Sequence, residues 1–246
     1  MASDERTDLM SKYNDIGISK ELDWERITHL FKIGIAAAII AVVGDLVLGW
    51  GVVDDSLSGM DQYFSRYLTV SDDRIFRSAL LGFIGIPVEC LCYFGIYRLI
   101  ANGSEKLAHL YRSGLLGMLA FGSFCHVVCC ATVYHLNALH RMDPSASADG
   151  TVKFALYFLV PVTAVFFVFF LLTTVVQIIA FAKGYTPYPK WCWIFSIASG
   201  LIVVAVTRFF GNSEAANAIG TGWISIGSIW TYLGLLITMK KAKAKK

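Results

Sequence analysis

The chain has 246 residues, of which 56% are hydrophobic and 16% are charged, and its formal net charge is only +3. Soluble domains average about 45–50% apolar and about 25% charged residues, so this chain carries more apolar side chains than a soluble fold can bury. The small net charge excludes a phosphate-binding surface, and we expect no nucleic-acid partner. The composition therefore predicts an integral membrane protein that contacts the lipid bilayer.

Six stretches of the sequence are long and apolar enough to cross a bilayer, which takes about 20 helical residues. The fourth stretch contains Pro161, which predicts a kink. The lengths exceed those of β-strands and lack their alternation, so the predicted fold is an all-α, polytopic bundle of six spans. The predicted spans are 33–53, 79–97, 113–136, 154–182, 191–207 and 215–239.

The basic residues divide unequally between the two sides that six spans create. Fifteen of the 21 Lys and Arg residues lie in the N-terminal arm, the second and fourth loops, and the tail. Because cytoplasmic loops carry an excess of Lys and Arg, both termini are predicted to be cytoplasmic.

The segments outside the spans predict no additional domain. Residues 1–32 are predicted to form a cytoplasmic arm, in which residues 19–31 make a short interfacial helix. The arm lacks the basic start of a signal peptide. Residues 33–239 form the six-span domain without an evident internal repeat, and residues 240–246 form a basic cytoplasmic tail.

Three ionisable residues within the spans are the predicted catalytic groups, since such groups are costly in a membrane and mark functional sites. Asp45, Glu89 and His126 each share a helical face with small residues. Small residues line helix–helix contacts, so the three side chains are expected to point into the bundle, at comparable depth. A carboxylate and an imidazole that meet there suit acid–base chemistry or proton transfer.

A structural role for the same three residues stays open. In that alternative, Asp45 caps a break in a neighbouring helix, and Glu89 is neutral against a backbone carbonyl near Pro87. His126 is then only a satisfied hydrogen-bonding group at a helix interface.

Five further residues are predicted to bind a ligand. Cys129 and Cys130 share the helical face of the histidine, Gln177 is a buried polar group of the fourth span, and Trp50 and Trp230 offer aromatic walls. Core packing, or the interfacial belt of aromatic residues, is the structural alternative for each.

A metal site is a weaker alternative. His126, Cys129 and Cys130 are spaced to reach one ion, with Asp45 or Glu89 as a fourth ligand. Paired His or Cys spacings are missing from the sequence, so the prediction is no metal, and the cofactor stays unknown. The six cysteines lie in spans or at a cytoplasmic edge, which argues against disulfides.

The run Gly44 to Leu48, GDLVL, lies near the end of the first span and is followed by a Gly-rich span and then by His126. This layout resembles a family of small six-span integral membrane proteins with no assigned function. It is also similar to sterol-isomerase-like proteins, which hold two buried acids in an aromatic-lined intramembrane cavity. The first resemblance marks Asp45 as a family feature, and the second implies a cavity for an apolar molecule.

Two functions from different classes remain, with a third as the structural alternative. In the first, a cavity lined by Asp45, Glu89 and His126 binds or chemically processes a small apolar or lipidic molecule. In the second, the protein is a proton-linked transporter whose acids exchange protons across the bilayer. The third is a non-catalytic membrane accessory subunit. The sequence leaves open whether the protein is an enzyme and whether it forms an oligomer.

Overall fold

The computed structural model describes residues 21–209, 211 and 213–244, and these residues are helical with no β-strand among them. Four segments are long and apolar enough to cross a membrane, namely 24–49, 72–101, 105–142 and 144–182. The fold is therefore all-helical, with apolar helices of the length that a membrane protein requires. The helices are α1 (Trp24–Gly49), α2 (Gly59–Leu68), α3 (Asp72–Cys92), α4 (Phe94–Ala101), α5 (Glu105–Met142), α6 (Pro144–Phe154), α7 (Val160–Ala182), α8 (Gly200–Arg208), α9 (Glu214–Thr221) and α10 (Trp223–Lys243).

Polar side chains cap the start of the long helices. The Asp23 carboxylate accepts a hydrogen bond from the backbone N–H of Arg26 at 2.9 Å, at the start of α1. The hydroxyls of Ser71 and Ser104 do the same for α3 and α5. These caps satisfy backbone donors that have no partner within the helix.

The N-terminal part of α1 differs from the prediction. This helix begins at Trp24 and runs unbroken into the first span. Ile27 and Phe31 are buried in the bundle, so the described part of the predicted interfacial helix continues directly into the first apolar helix. The arm up to residue 20 and the tail residues 245–246 lie outside the described residues.

A π turn, Ala155–Leu159, lies between α6 and α7, just before the Pro161 at which the sequence predicts a kink. The N–H of Val160 bonds to the carbonyl of Ala155, five residues earlier. Because proline has no N–H, a regular helix would leave the carbonyl four residues before Pro161 without a partner. The wider turn absorbs that irregularity within one otherwise continuous segment.

The last two predicted spans are not regular helices. Two 3-10 turns, Lys190–Ile194 and Ile197–Ser199, precede the short helix α8. The sixth span bends by 66° at Gly222, where α9 meets α10. The turn that contains Ile197 packs directly against α10. A Cβ at Gly227 would overlap the Ile197 carbonyl oxygen, so this contact leaves no room for a side chain.

The two ends of the bundle are distinguished by contacts between distant parts of the chain. At one end, the Lys243 ammonium lies 5.7 Å from the centre of the Trp24 ring. At the other, the Asn217 amide donates to the Gly51 carbonyl at 3.3 Å. We call these the terminal end and the loop end. Both ends of the described chain thus lie at the terminal end.

The irregular segment after α7 runs antiparallel to α9 and α10. The Tyr188 hydroxyl donates to the Leu235 carbonyl at 3.0 Å, near the terminal end. The Arg208 guanidinium donates to Asn217 Oδ1 at 3.0 Å, at the loop end. Residues 188–208 therefore pass from one end of the bundle to the other, although only 12 of them, 197–208, form a continuous apolar helix.

Candidate functional site

Helices α1, α3 and α5 bring the three predicted catalytic residues to one cavity. Asp45, Glu89 and His126 all line this cavity, which has a volume of 160 Å³. Its other walls are mostly apolar and include Met118 and Phe166. Small residues on α1 and α3 permit this approach, and a Cβ at Gly85 would lie only 2.9 Å from the α1 backbone. We call this space the acidic cavity.

Asp45 and His126 form an ion pair between α1 and α5. Asp45 Oδ1 lies 3.3 Å from His126 Nδ1, and both side chains are largely buried. His126 Nε2 lies 3.0 Å from the backbone carbonyl oxygen of Ser78. A carbonyl only accepts hydrogen bonds, so Nε2 carries a proton. The contact between Oδ1 and Nδ1 becomes a hydrogen bond when either atom carries a proton.

Gly82 makes room for the imidazole ring. It lies one helical turn after Ser78 on α3, and a Cβ there would overlap the His126 ring. The missing side chain at Gly82 thus has a specific structural role. It lets the imidazole ring approach α3 closely enough to reach the Ser78 carbonyl.

Glu89 is buried in a network of hydroxyl groups from α10. Its side chain is 3% exposed, and Oε1 accepts a hydrogen bond from the Ser228 hydroxyl. The Tyr93 hydroxyl donates to Ser228 at 2.8 Å, and the Tyr232 hydroxyl donates to the Glu89 carbonyl at 2.7 Å. Ser225 also lies near the carboxyl group, but no hydrogen bond of ordinary geometry reaches Oε2.

The bend at Gly222 lies beside Asp45. A Cβ at Gly222 would be 3.4 Å from Asp45 Cβ and 3.7 Å from Oδ2. The N-terminus of α10 therefore begins next to the carboxylate, and the positive end of a helix dipole favours a negative charge. A break in a neighbouring helix is what the structural alternative for Asp45 requires. Thr221 and Ser225, on the two sides of this break, also line the acidic cavity.

A second cavity, of 270 Å³, adjoins the acidic cavity towards the loop end. Leu48, Cys129 and Thr221 line both spaces. The walls of the second cavity are mostly apolar and aromatic, and α2 contributes Phe64 and Tyr67 to them. We call it the apolar cavity.

The five predicted ligand-binding residues separate into two groups. Cys129 lines both cavities, and Cys130 lies behind the imidazole, with Sγ 3.7 Å from His126 Nε2. Trp50, Gln177 and Trp230 do not line either cavity.

The three outlying residues lie elsewhere in the bundle. Trp50 is 46% exposed at the end of α1. Gln177 donates to the Phe195 carbonyl at 2.8 Å and so anchors the irregular segment to α7. Trp230 donates to the Ile194 carbonyl and borders a groove on the outside of the bundle.

Within the described residues, no group of three or more His, Cys, Asp or Glu side chains could hold a metal ion. The sequence spacing placed His126, Cys129 and Cys130 on one face. Adjacent helical residues diverge by about 100°, so Cys129 borders the cavities while Cys130 lies near Ser78 Oγ, at 3.5 Å.

The sequence interpretation missed the hydroxyl partners of the site. Ser78 supplies the carbonyl that binds His126, and Ser228 and Tyr232 hold Glu89. The glycine spacing of the last span does not identify these partners. Gly227 and Gly234 face the irregular segment, whereas Ser228, the residue next to Gly227, points about 100° away and meets Glu89.

No curated protein and no solved structure matches the chain. The model of a family of unknown function, DUF6796, matches residues 11–242, which include α1 to α9 and nearly all of α10. The chain therefore belongs to this family of unknown function.

Proposed function

We propose that the protein is a multi-pass membrane protein whose acidic cavity binds or chemically processes a small apolar or lipidic molecule. The observation that carries the proposal is the meeting of three ionisable side chains from three helices at one apolar-walled cavity. Such pockets, mostly apolar with a few convergent polar groups, are typical of ligand sites.

The Asp45–His126 pair would act as the proton-exchanging group. A proton passed between Asp45 and His126 would cross 3.3 Å, and the second ring nitrogen is held by a backbone carbonyl. This arrangement orients the ring and leaves a carboxylate beside the cavity. A bound molecule could then give or take a proton without bulk water.

The size of the cavity limits the molecule. A cavity of about 150 Å³ in another protein holds benzene, so the acidic cavity suits one ring or a short branched group. A sterol skeleton exceeds it. A longer molecule would extend into the apolar cavity, whose 270 Å³ begins at the shared Leu48–Cys129–Thr221 wall.

We further propose six crossings with both termini in the cytoplasm. Two features support this topology: Trp24 and Lys243 meet at one end, and residues 188–208 pass along the full length of α9 and α10. Among the residues that the structure describes, the segments that meet at the terminal end carry ten of the 16 Lys and Arg residues.

Proton-linked transport is the second candidate function, and the break at Gly222 favours it. Interrupted membrane helices form the binding sites of many secondary transporters. Here the break lies beside a buried carboxylate, as in such sites. A bound molecule would then be carried through the bundle instead of being converted.

Protection of Cys129 from alkylation tests whether the acidic cavity accepts an apolar molecule. The probe is toluene, applied to a protein in lipid nanodiscs that retains only Cys129. We expect toluene to slow its alkylation several-fold, and Phe166→Trp, which fills the cavity, to abolish the effect. A matched protein that retains only Cys192, a buried cysteine away from both cavities, should show no change. Equal rates with and without toluene at Cys129 would overturn the proposal.

A further inference from the structure

The acidic cavity is lined by more acidic than basic side chains. Its lining includes two carboxylates and one imidazole, but neither Lys nor Arg. Asp45 is paired with His126. None of the ion pairs found among the described residues includes Glu89. The wall therefore has one more acid than base.

Glu89 also has an unused hydrogen-bonding atom. Its Oε1 accepts from Ser228, whereas Oε2 is buried with no hydrogen-bond partner. A buried polar atom without a partner costs free energy that a donor from a bound molecule would recover. Glu89 is one of the residues that line the cavity, so a molecule bound there is the nearest possible source of the missing donor.

The surrounding wall narrows the chemistry of that donor. The hydroxyls of Thr221 and Ser225 border the same space and can accept hydrogen bonds. A hard divalent cation requires about six oxygen ligands, more than this mostly apolar wall supplies. A protonated amine requires only two or three acceptors and carries an apolar substituent that Met118 and Phe166 can contact.

We propose that the acidic cavity binds an organic monocation, a protonated amine with one small apolar substituent, whose N–H group donates to Glu89 Oε2. The inference rests on the proposed function and specifies its ligand class. One positive charge neutralises the excess acid, and the donor satisfies the orphan oxygen. The substituent fills a volume close to that of one aromatic ring.

Three ligands of nearly equal shape test the charge preference: benzylamine, benzyl alcohol and toluene at pH 7. The readout is protection of Cys129 from alkylation in nanodiscs. We expect half-maximal protection by benzylamine at a concentration at least ten-fold below those of the two neutral compounds. Because the comparison uses only the parent Cys129 protein, it decides the preference whether or not any Glu89 variant folds.

Glu89→Gln tests the assignment to Glu89, with the exposed Glu214→Gln as matched control. The amine preference should disappear in Glu89→Gln and persist in Glu214→Gln. Protection by toluene without a preference for benzylamine would overturn the amine inference and leave the proposed function standing, as would a preference that survives in a folded Glu89→Gln protein. Absence of protection by all three compounds would overturn both.

Discussion

At the scale of single residues, the site depends on hydrogen-bonding partners for its buried ionisable side chains. His126 is held between a carboxylate and a backbone carbonyl, and Glu89 is held by Ser228. A buried charged or polar group is costly unless it is hydrogen-bonded. The hydroxyl-rich face of α10 therefore allows Glu89 to remain at a helix interface.

Removal of Ser228 should destabilise the protein through Glu89. Ser228→Ala removes the hydrogen-bond donor to Glu89 Oε1. It also removes the hydroxyl that accepts a hydrogen bond from Tyr93. We expect a loss of about 1–3 kcal/mol in the free energy of unfolding. Equilibrium denaturation in mixed micelles measures it. Ser113→Ala, at an exposed hydroxyl bonded within its own helix, is the control and should lie within about 0.5 kcal/mol of the parent. Equal stability of the two variants would contradict this role of Ser228.

At the scale of helices, the interruptions determine how the irregular segment and α10 meet the site. An irregularity near Pro161 can be predicted from the sequence, because the missing N–H is a local property of proline. The bend at Gly222 cannot be predicted in this way, since Gly220, Gly227 and Gly234 on the same segment are locally equivalent. Only the tertiary contacts distinguish them: Gly222 lies beside Asp45, whereas Gly227 and Gly234 contact the irregular segment.

Gly227 should be the least replaceable of these glycines. A Cβ there would overlap the Ile197 carbonyl oxygen, a backbone atom that cannot rotate away. We expect Gly227→Ala to cost about 1–3 kcal/mol and to separate the irregular segment from α10. Gly220→Ala is the matched control, because the nearest atom to its Cβ is a flexible Arg208 nitrogen at 3.5 Å. Thermal unfolding in micelles compares the two, and an unaffected Gly227→Ala protein would show that the packing is wrong.

The site shows the same division between local and tertiary information. The inward faces of Asp45, Glu89 and His126 follow from small residues at helical spacing, such as Gly82 beside the histidine. Helical spacing could not show which of the other candidate residues lie outside the cavities, because the neighbours of each residue depend on the packing of the whole bundle. Those residues are Trp50, Gln177 and Trp230. The oxygen acceptors and donors of α10 became part of the site only through the bend at Gly222.

At the scale of the whole molecule, the first four predicted spans could be found from hydropathy because each corresponds to a long, continuous apolar helical segment. The last two were harder to define, since residues 188–208 cross the bundle largely as turns and a short helix. Backbone polar groups in such a segment need protein partners in a membrane. Gln177 and Trp230 provide two of them, at the carbonyls of Phe195 and Ile194.

The proposed six-crossing topology would place Lys190 and Glu214 on opposite sides of the membrane. Single cysteines at these two positions, in a protein otherwise free of cysteine, can be labelled in intact cells with an impermeant maleimide. We expect labelling of Glu214→Cys and none of Lys190→Cys. Asp61→Cys in α2 and Lys106→Cys in α5 serve as references for the loop end and the terminal end. Labelling of Lys190→Cys and Glu214→Cys from the same side would contradict six crossings.

The most direct test of the central claim is an experimental density map of the protein extracted into nanodiscs from its own membrane. The account predicts non-protein density in the acidic cavity, bounded by Asp45, Glu89 and His126 and within hydrogen-bonding distance of Glu89 Oε2. Side chains that fill this space, or Asp45 and His126 too far apart to share a proton, would contradict it.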